Sequence, residues 1–121
     1  MLKFYGYKKC STCRKAEKFL LQVDIAYEYI DITENPPSTK EIAAIAGHAE
    51  TPLKKMFNTS GMQYRELKIK EKLPVLSEQD VLTLLSGNGR LIKRPLITDG
   101  VHATIGFNES RFTEVWSRNA S

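Results

Sequence analysis

The chain has 121 residues, of which 41% are hydrophobic and 26% charged, and its formal net charge is +4. This size predicts one domain with a single core, in an ordinary globular composition. No apolar run approaches a membrane span, no signal sequence is recognisable, and the scattered lysines and arginines lack the basic run typical of direct nucleic-acid binding. We therefore expect a cytoplasmic protein without membrane or nucleic-acid contacts, in a compartment where thiols stay reduced.

The first part of the chain has the pattern of a β-α-β unit. Leu2 to Tyr7 is a short β-type run. From Ser11 onward, apolar residues recur at helical spacing and predict a helix of about three turns. Ile25 to Ile32 alternates in polarity and predicts a second strand, parallel to the first through the helical crossover.

The middle of the chain predicts a series of short helices. Ser38 and Glu41 form a capping-box pattern that starts a helix, and Gly47 is expected to end it. Further helical pieces are predicted over 51–57, 64–70 and from Ser77 to Gly87. Together these pieces make a mostly helical insertion at about 38–90.

The last part of the chain predicts two strands and a helix. Leu96 to Thr98 and Val101 to Phe107 flank Asp99-Gly100, a strong signal for a two-residue hairpin turn. A final helix is expected from about Asn108. The predicted order is therefore β-α-β, helical insertion, β-β hairpin and C-terminal helix. This is an α/β class with a mixed sheet, arranged as in the thioredoxin-like fold, and residues 1–121 are expected to form one domain.

The only two cysteines of the chain, Cys10 and Cys13, form a C-x-x-C motif between the first strand and helix. If the helix begins near Ser11, its free N–H groups and its dipole stabilise a thiolate at Cys10. Positive charge nearby adds to this effect, from Lys8, Lys9, Arg14 and Lys15. Thiols in such settings have pKa values of roughly 3.5–7.5 instead of about 8.5.

The motif predicts thiol redox chemistry, in which Cys10 is the attacking nucleophile and Cys13 the resolving partner. Attack on a substrate would give a mixed intermediate at Cys10, which Cys13 would displace by forming a Cys10–Cys13 disulfide. The alternatives have less support. Structural zinc needs four ligands, and the chain offers two cysteines with two distant histidines. Haem attachment would require a histidine at the position of Arg14. The interpretation that both cysteines are inert core residues remains open.

Lys93-Arg94-Pro95, just before the predicted hairpin, is the second candidate site. In the thioredoxin arrangement the residue that opens this hairpin lies opposite the C-x-x-C and is typically a cis proline. Arg94 would then present a charged donor fork to an anionic group at Cys10. The competing interpretation is an ordinary trans proline with a solvated arginine. The C-x-x-C favours the functional interpretation.

The chain resembles the arsenate-reductase-like (ArsC/Spx/MgsR) family of the thioredoxin superfamily over essentially its whole length. The resemblance is carried by Tyr5-Gly6-Tyr7-Lys8-Lys9-Cys10-Ser11-Thr12-Cys13-Arg14-Lys15-Ala16, Phe57-Asn58-Thr59-Ser60-Gly61, Tyr64-Arg65-Glu66-Leu67, Leu91-Ile92-Lys93-Arg94-Pro95-Leu96-Ile97 and Ile105-Gly106-Phe107. It implies that Cys10 is the redox nucleophile and Cys13 the second cysteine of a redox switch. It also implies that Arg94, before a cis Pro95, contacts an oxyanion.

The chain departs from the three-arginine pattern of glutathione-dependent arsenate reductases. The loop Asn58-Thr59-Ser60 lacks an arginine, and Phe107 stands after Ile105-Gly106. A charged hydrogen bond contributes about 1.5–3 kcal/mol, so losing two donors should weaken capture of a doubly charged oxyanion. We therefore expect arsenate to be a poor substrate.

Two functions follow from the resemblance. The first is a thiol-disulfide oxidoreductase without a metal or bound cofactor. It would act on a small thiol or on a protein thiol or disulfide, and glutathione or thioredoxin would serve as its reductant. The second is a redox-sensing transcriptional regulator of the Spx type, which would bind the RNA polymerase α subunit through its Lys and Arg side chains.

Overall fold

The computed structural model describes residues 2–117, and its centre is a four-stranded mixed sheet. Strand β1 (Leu2–Gly6) pairs in parallel with β2 (Tyr27–Asp31). On its other side β1 pairs antiparallel with β3 (Leu96–Thr98), which pairs antiparallel with β4 (Ala103–Ile105). The strand order is β2-β1-β3-β4. The predicted mixed sheet of an α/β protein is therefore confirmed.

Helix α1 (Ser11–Gln22) makes the crossover between the two parallel strands. Its inner face is formed by Cys13, Ala16 and Leu20, which are fully buried at spacings of three and four residues. That spacing places the three side chains on one face of a helix, against the sheet. The predicted helix and its start are confirmed, and they put Cys10 immediately before the first turn.

The middle of the chain is helical, as predicted, with some different boundaries. Its α-helices are α2 (Thr39–His48), α3 (Met62–Glu66), α4 (Ile69–Lys72) and α5 (Glu78–Gly87), and its 3₁₀ turns span Leu53–Met56, Leu73–Val75 and Gly89–Leu91. Ser38 and Ser77 accept from the expected backbone amides at two N-termini. Gly47, however, lies inside α2, whose C-cap is Ala49.

The β3–β4 connection differs from the predicted two-residue turn. The register pairs Thr98 with Ala103, so four residues, 99–102, form the loop. The carboxylate of Asp99 accepts hydrogen bonds from the backbone amides of Val101 and His102 at 2.8 and 2.6 Å. These bonds satisfy amides that a tighter turn would have placed in the sheet ladder. Strand β4 is therefore shorter than the predicted run of 101–107.

Two apolar clusters cover the opposite faces of the sheet. Phe4 and Ile97 belong to one cluster, whereas their chain neighbours Tyr5 and Leu96 belong to the other. Successive strand residues point to opposite faces, so the sheet separates the two clusters. The first cluster includes Cys13 of α1, together with Phe112 of α6 (Glu109–Phe112) and Trp116 of the π-helical turn Thr113–Ser117. No helix among residues 2–117 has the length and apolarity needed to cross a membrane.

Candidate functional site

Cys10 is the N-cap residue of α1. Its backbone is extended, with φ −90° and ψ 117°, and its amide donates to the Tyr7 carbonyl at 3.0 Å. The tight turn at 7–10 aims the Cys10 sulfur back at the first turn of the helix. There Sγ accepts a hydrogen bond from the Cys13 amide at 3.4 Å. The sulfur thus occupies the place that a serine or aspartate oxygen takes in an ordinary N-cap.

The two thiols lie in different surroundings. Cys10 is half-buried, whereas Cys13 is fully buried in the cluster beneath α1. Burial raises the pKa of Cys13 to about 12, and the neighbouring Cys10 acts in the same direction. Cys13 is therefore a protonated thiol at neutral pH, held one helical turn from a more accessible sulfur.

The pKa of Cys10 is lowered from its ordinary value. Partial burial opposes the shift, but hydrogen bonds from the Cys13 thiol and amide, and the Arg94 guanidinium, outweigh it. The sequence predicts Lys8 and Arg14 among the stabilising cations. In the structure the ammonium of Lys8 lies over the Tyr29 ring, 3.9 Å from its centroid, and Arg14 donates to the Lys8 carbonyl. The cation that lowers the Cys10 pKa is Arg94, which is distant in sequence.

Arg94 reaches Cys10 from the segment that leads into β3. This segment is fixed by a hydrogen bond from the Lys93 amide to the Met56 carbonyl at 2.7 Å. The Arg94–Pro95 peptide bond is cis, as the sequence predicted. The guanidinium carbon of Arg94 lies 5.2 Å from the centre of the Tyr7 ring, a cation–π contact that holds the side chain beside the turn preceding Cys10.

A cavity of about 330 Å³ opens beside Cys10. Its walls include Cys10, Thr12, Asn58, Lys93, Arg94 and Phe107. The structure therefore brings Cys10 and Arg94 to one cavity, while Cys13 and Pro95 are buried and do not line it. Lys93, the first residue of the predicted Lys93-Arg94-Pro95 site, is a further cation at this cavity.

Tyr7 was missed as a residue of the site. The sequence shows it three positions before Cys10, but nothing in that spacing indicates that its ring supports Arg94. Across residues 2–117 the structure holds no cluster of three or more Cys, His, Asp or Glu side chains that could bind a metal ion. The chemistry available at the cavity is that of one acidic thiol, one buried thiol and neighbouring cations.

The chain is similar in sequence and in structure to several known proteins. The model of the ArsC family matches residues 5–115. A Bacillus subtilis protein called YusI is 52% identical over 116 residues, which cover 96% of this chain and 98% of YusI. The global transcriptional regulator Spx of Streptococcus mutans is 29% identical over 109 residues, or 90% of this chain and 78% of Spx. An ArsC family related protein of Bacteroides fragilis superimposes with a TM-score of 0.90 and 38% identity, over 93% and 95% of the two chains.

Proposed function

The chain belongs to the ArsC family, and we propose that it is a cytoplasmic thiol-disulfide oxidoreductase whose nucleophile is Cys10. The observation that carries this proposal is the arrangement around the Cys10 sulfur. It caps α1, accepts from the Cys13 amide, and lies next to the Arg94 guanidinium at the wall of a cavity. A thiolate is the reactive form of cysteine, and these contacts favour it.

In the proposed cycle, the Cys10 thiolate attacks one sulfur of a substrate disulfide, and the other substrate sulfur leaves as a thiolate. Cys13 then loses its proton and attacks the Cys10 sulfur. The Cys10–Cys13 disulfide forms and the second substrate thiol is released. Two equivalents of an external thiol, such as glutathione or a thioredoxin dithiol, return the pair to the reduced form. The protein's own sulfurs carry the electrons, and no cofactor is required.

The order of these steps follows from the different pKa values of the two thiols. Burial is the main cause of the raised pKa of Cys13, and the charge of Cys10 adds to it. Once Cys10 is bound in a mixed disulfide that charge is gone, and Cys13 becomes easier to deprotonate. Ionisation of Cys13 is therefore disfavoured until a substrate has reacted with Cys10.

We assign to Arg94, held before Pro95, the contact with anionic groups of the substrate. Arg94 lines the cavity that Cys10 faces, and its guanidinium can donate two parallel hydrogen bonds to a carboxylate or oxyanion. Where the three-arginine pattern of arsenate reductases has its other two arginines, the wall of this cavity has Asn58 and Phe107. One arginine suits a singly charged group, and we expect arsenate to be a poor substrate.

The test is to trap the intermediate. A Cys13→Ser variant incubated with a model disulfide is expected to accumulate a stable mixed disulfide at Cys10, visible by mass spectrometry. The wild type should instead pass to the Cys10–Cys13 disulfide and release both substrate thiols. The Cys10→Ser variant is the matched control and should form neither species. Equal labelling of Cys13 in that control would overturn the assignment of roles.

A second function is favoured by the similarity to the streptococcal Spx regulator. In this role the Cys10–Cys13 disulfide would be a switch, and the partner would be the RNA polymerase α subunit. The test is a pull-down with the C-terminal domain of that subunit, using reduced and oxidised protein. Binding that depends on the redox state supports the regulator; absence of binding in both states rules it out.

A further inference from the structure

A second cavity, of about 260 Å³, lies beside the cavity that Cys10 faces. Its walls include Tyr7, Thr33, Asn58, Gln63, Arg90 and Arg94. Arg94 and Asn58 line both cavities, but Cys10 lines only the first. We call the second cavity the arginine pocket. The redox cycle proposed above makes no use of Arg90 or Gln63.

The arginine pocket has the donors of an anion site. Arg90 and Arg94 each carry a permanent charge and a planar fork of N–H donors. The Nε atom of Arg94 is buried, and no hydrogen-bond partner for it is found within residues 2–117. Because this Nε is closed off from solvent, the donors that Arg90 and Arg94 offer to an anion in the pocket are their other guanidinium N–H groups.

The pocket is held in shape by Asn88. Its side-chain oxygen accepts from the Arg90 amide at 3.1 Å, and its Nδ2 donates to the Gln63 side-chain oxygen at 3.0 Å. Because the oxygen of Gln63 is engaged in this way, its Nε2 group is the end left to donate. One side chain therefore links the 3₁₀ turn at Gly89–Leu91 to α3, on two sides of the pocket.

The charges favour a singly charged ligand. The pocket wall contains two guanidinium groups and no carboxylate. Asp31 at the end of β2 interacts with the charge of Arg94 from outside this wall. Its Oδ1 atom already accepts from the amide and hydroxyl of Thr33 at 2.9 and 2.6 Å. With one of the two positive charges partly offset, a monoanion matches the pocket better than a doubly charged oxyanion.

We propose that the arginine pocket binds a small organic carboxylate between Arg90 and Arg94, and that its occupation makes Cys10 less reactive. The second part follows because both sites use Arg94. A carboxylate beside this guanidinium neutralises the cation that stabilises the Cys10 thiolate. Coupling between two sites is reciprocal, so the carboxylate binds more weakly when Cys10 is ionised.

The experiment measures the rate of Cys10 alkylation by iodoacetamide at a pH below the Cys10 pKa, with acetate as the probe. Sodium chloride and sodium sulfate at equal ionic strength are the references. Acetate should slow alkylation saturably and several-fold in the wild type, and sulfate should slow it less. Sulfate slowing the reaction more than acetate would overturn the choice of ligand, and a rate unaffected by acetate would overturn the proposed effect of the pocket on Cys10.

Two matched variants locate the effect. Arg90→Gln should abolish the slowing by acetate. Arg65→Gln, an exposed arginine on α3 outside the pocket wall, removes the same charge and should retain the slowing. Equal slowing in both variants would mean that acetate acts in the Cys10 cavity, and the proposal would be wrong.

A second measurement separates this proposal from the redox function. Acetate titrated into isotopically labelled protein should shift the NMR signals of the Arg90 and Arg94 Nε–H groups with a common saturation curve. This binding does not require Cys10 chemistry. Saturable shifts with an ordinary Cys10 would contradict the redox function alone, whereas unmoved signals with an acidic Cys10 would contradict the arginine pocket alone.

Discussion

At the level of single residues, the site is built from contacts that each stabilise the thiolate form of Cys10. The Cys13 amide and thiol donate to Cys10, and the guanidinium of Arg94 adds a positive charge. The Tyr7 ring in turn supports Arg94. Removing Arg94 should therefore act on the chemistry of Cys10 more than on the fold, since Arg94 is only half-buried.

We predict that Arg94→Gln raises the pKa of Cys10. The lost cation no longer favours the thiolate, so a smaller fraction of Cys10 is ionised at mildly acidic pH and alkylation there becomes slower. The matched control is Arg111→Gln, which removes an exposed ion pair with Glu114 on the C-terminal helix and should leave the rate unchanged. An unchanged rate in Arg94→Gln would show that the hydrogen bonds from Cys13 set the acidity without Arg94.

At the level of elements, the helical segment and the first β-α-β unit meet at a close backbone contact. A Cβ atom on Gly89 would lie 1.8 Å from the carbonyl oxygen of Ile32 and 2.7 Å from its carbon. Both distances are far below van der Waals contact, and both involve backbone that cannot rotate away. Only glycine therefore fits where the 3₁₀ turn before Arg94 packs on the end of β2.

We predict that Gly89→Ala destabilises the protein by several kcal/mol, because the two elements must separate to admit a methyl group. Gly87→Ala is the matched control: its Cβ would meet nothing within 4 Å at the end of α5. That variant should be neutral or up to about 1 kcal/mol more stable, since alanine favours the helix. Urea denaturation of both variants measures the difference. Equal stabilities would contradict the close contact.

Local features of the helices were predictable from the sequence, whereas features that depend on distant residues were not. The caps at Ser38 and Ser77 were predicted correctly because a cap depends on residues three positions apart. The β3–β4 turn was predicted wrongly because its length depends on strand register and on the Asp99 side chain. The partnership of Tyr7 with Arg94 joins residues distant in the chain, and no local pattern reports it.

At the level of the whole molecule, the two thiols make stability depend on pH in opposite directions. The pKa of Cys10 is lower in the folded state than in the unfolded state, where it is about 8.5. The contribution of Cys10 to the free energy of unfolding is therefore fully present at pH values above its unfolded-state pKa. It is lost as the pH falls through the folded-state pKa. The pKa of Cys13 is raised to about 12, so its contribution is present below the unfolded value and is lost as the pH rises toward 12.

We predict that the reduced protein gains stability from Cys10 as the pH rises toward about 8.5, and loses stability from Cys13 above it. The measurement is the free energy of unfolding in urea at a series of pH values, with Cys10→Ser for comparison. The variant should lack the rise below pH 8.5 and retain the loss above it. Identical pH profiles for the two proteins would contradict the assigned pKa directions.

The same denaturation curves test the domain organisation. We propose that the strands and the helical segment at about 38–90 unfold together as one domain. Circular dichroism and the fluorescence of the buried Trp116 should then give coincident transitions. A helical signal that melts before the tryptophan signal would indicate two independent units.

The acidity of Cys10 is the property on which the redox cycle depends most. Its most direct measurement is the rate of iodoacetamide alkylation of the Cys13→Ser variant as a function of pH, compared with a free cysteine in a short peptide. We predict that the Cys10 curve lies at lower pH than the peptide curve, even though this variant has lost the hydrogen bond from the Cys13 thiol. A Cys10 curve that coincides with the peptide curve, or lies at higher pH, would contradict the proposed function.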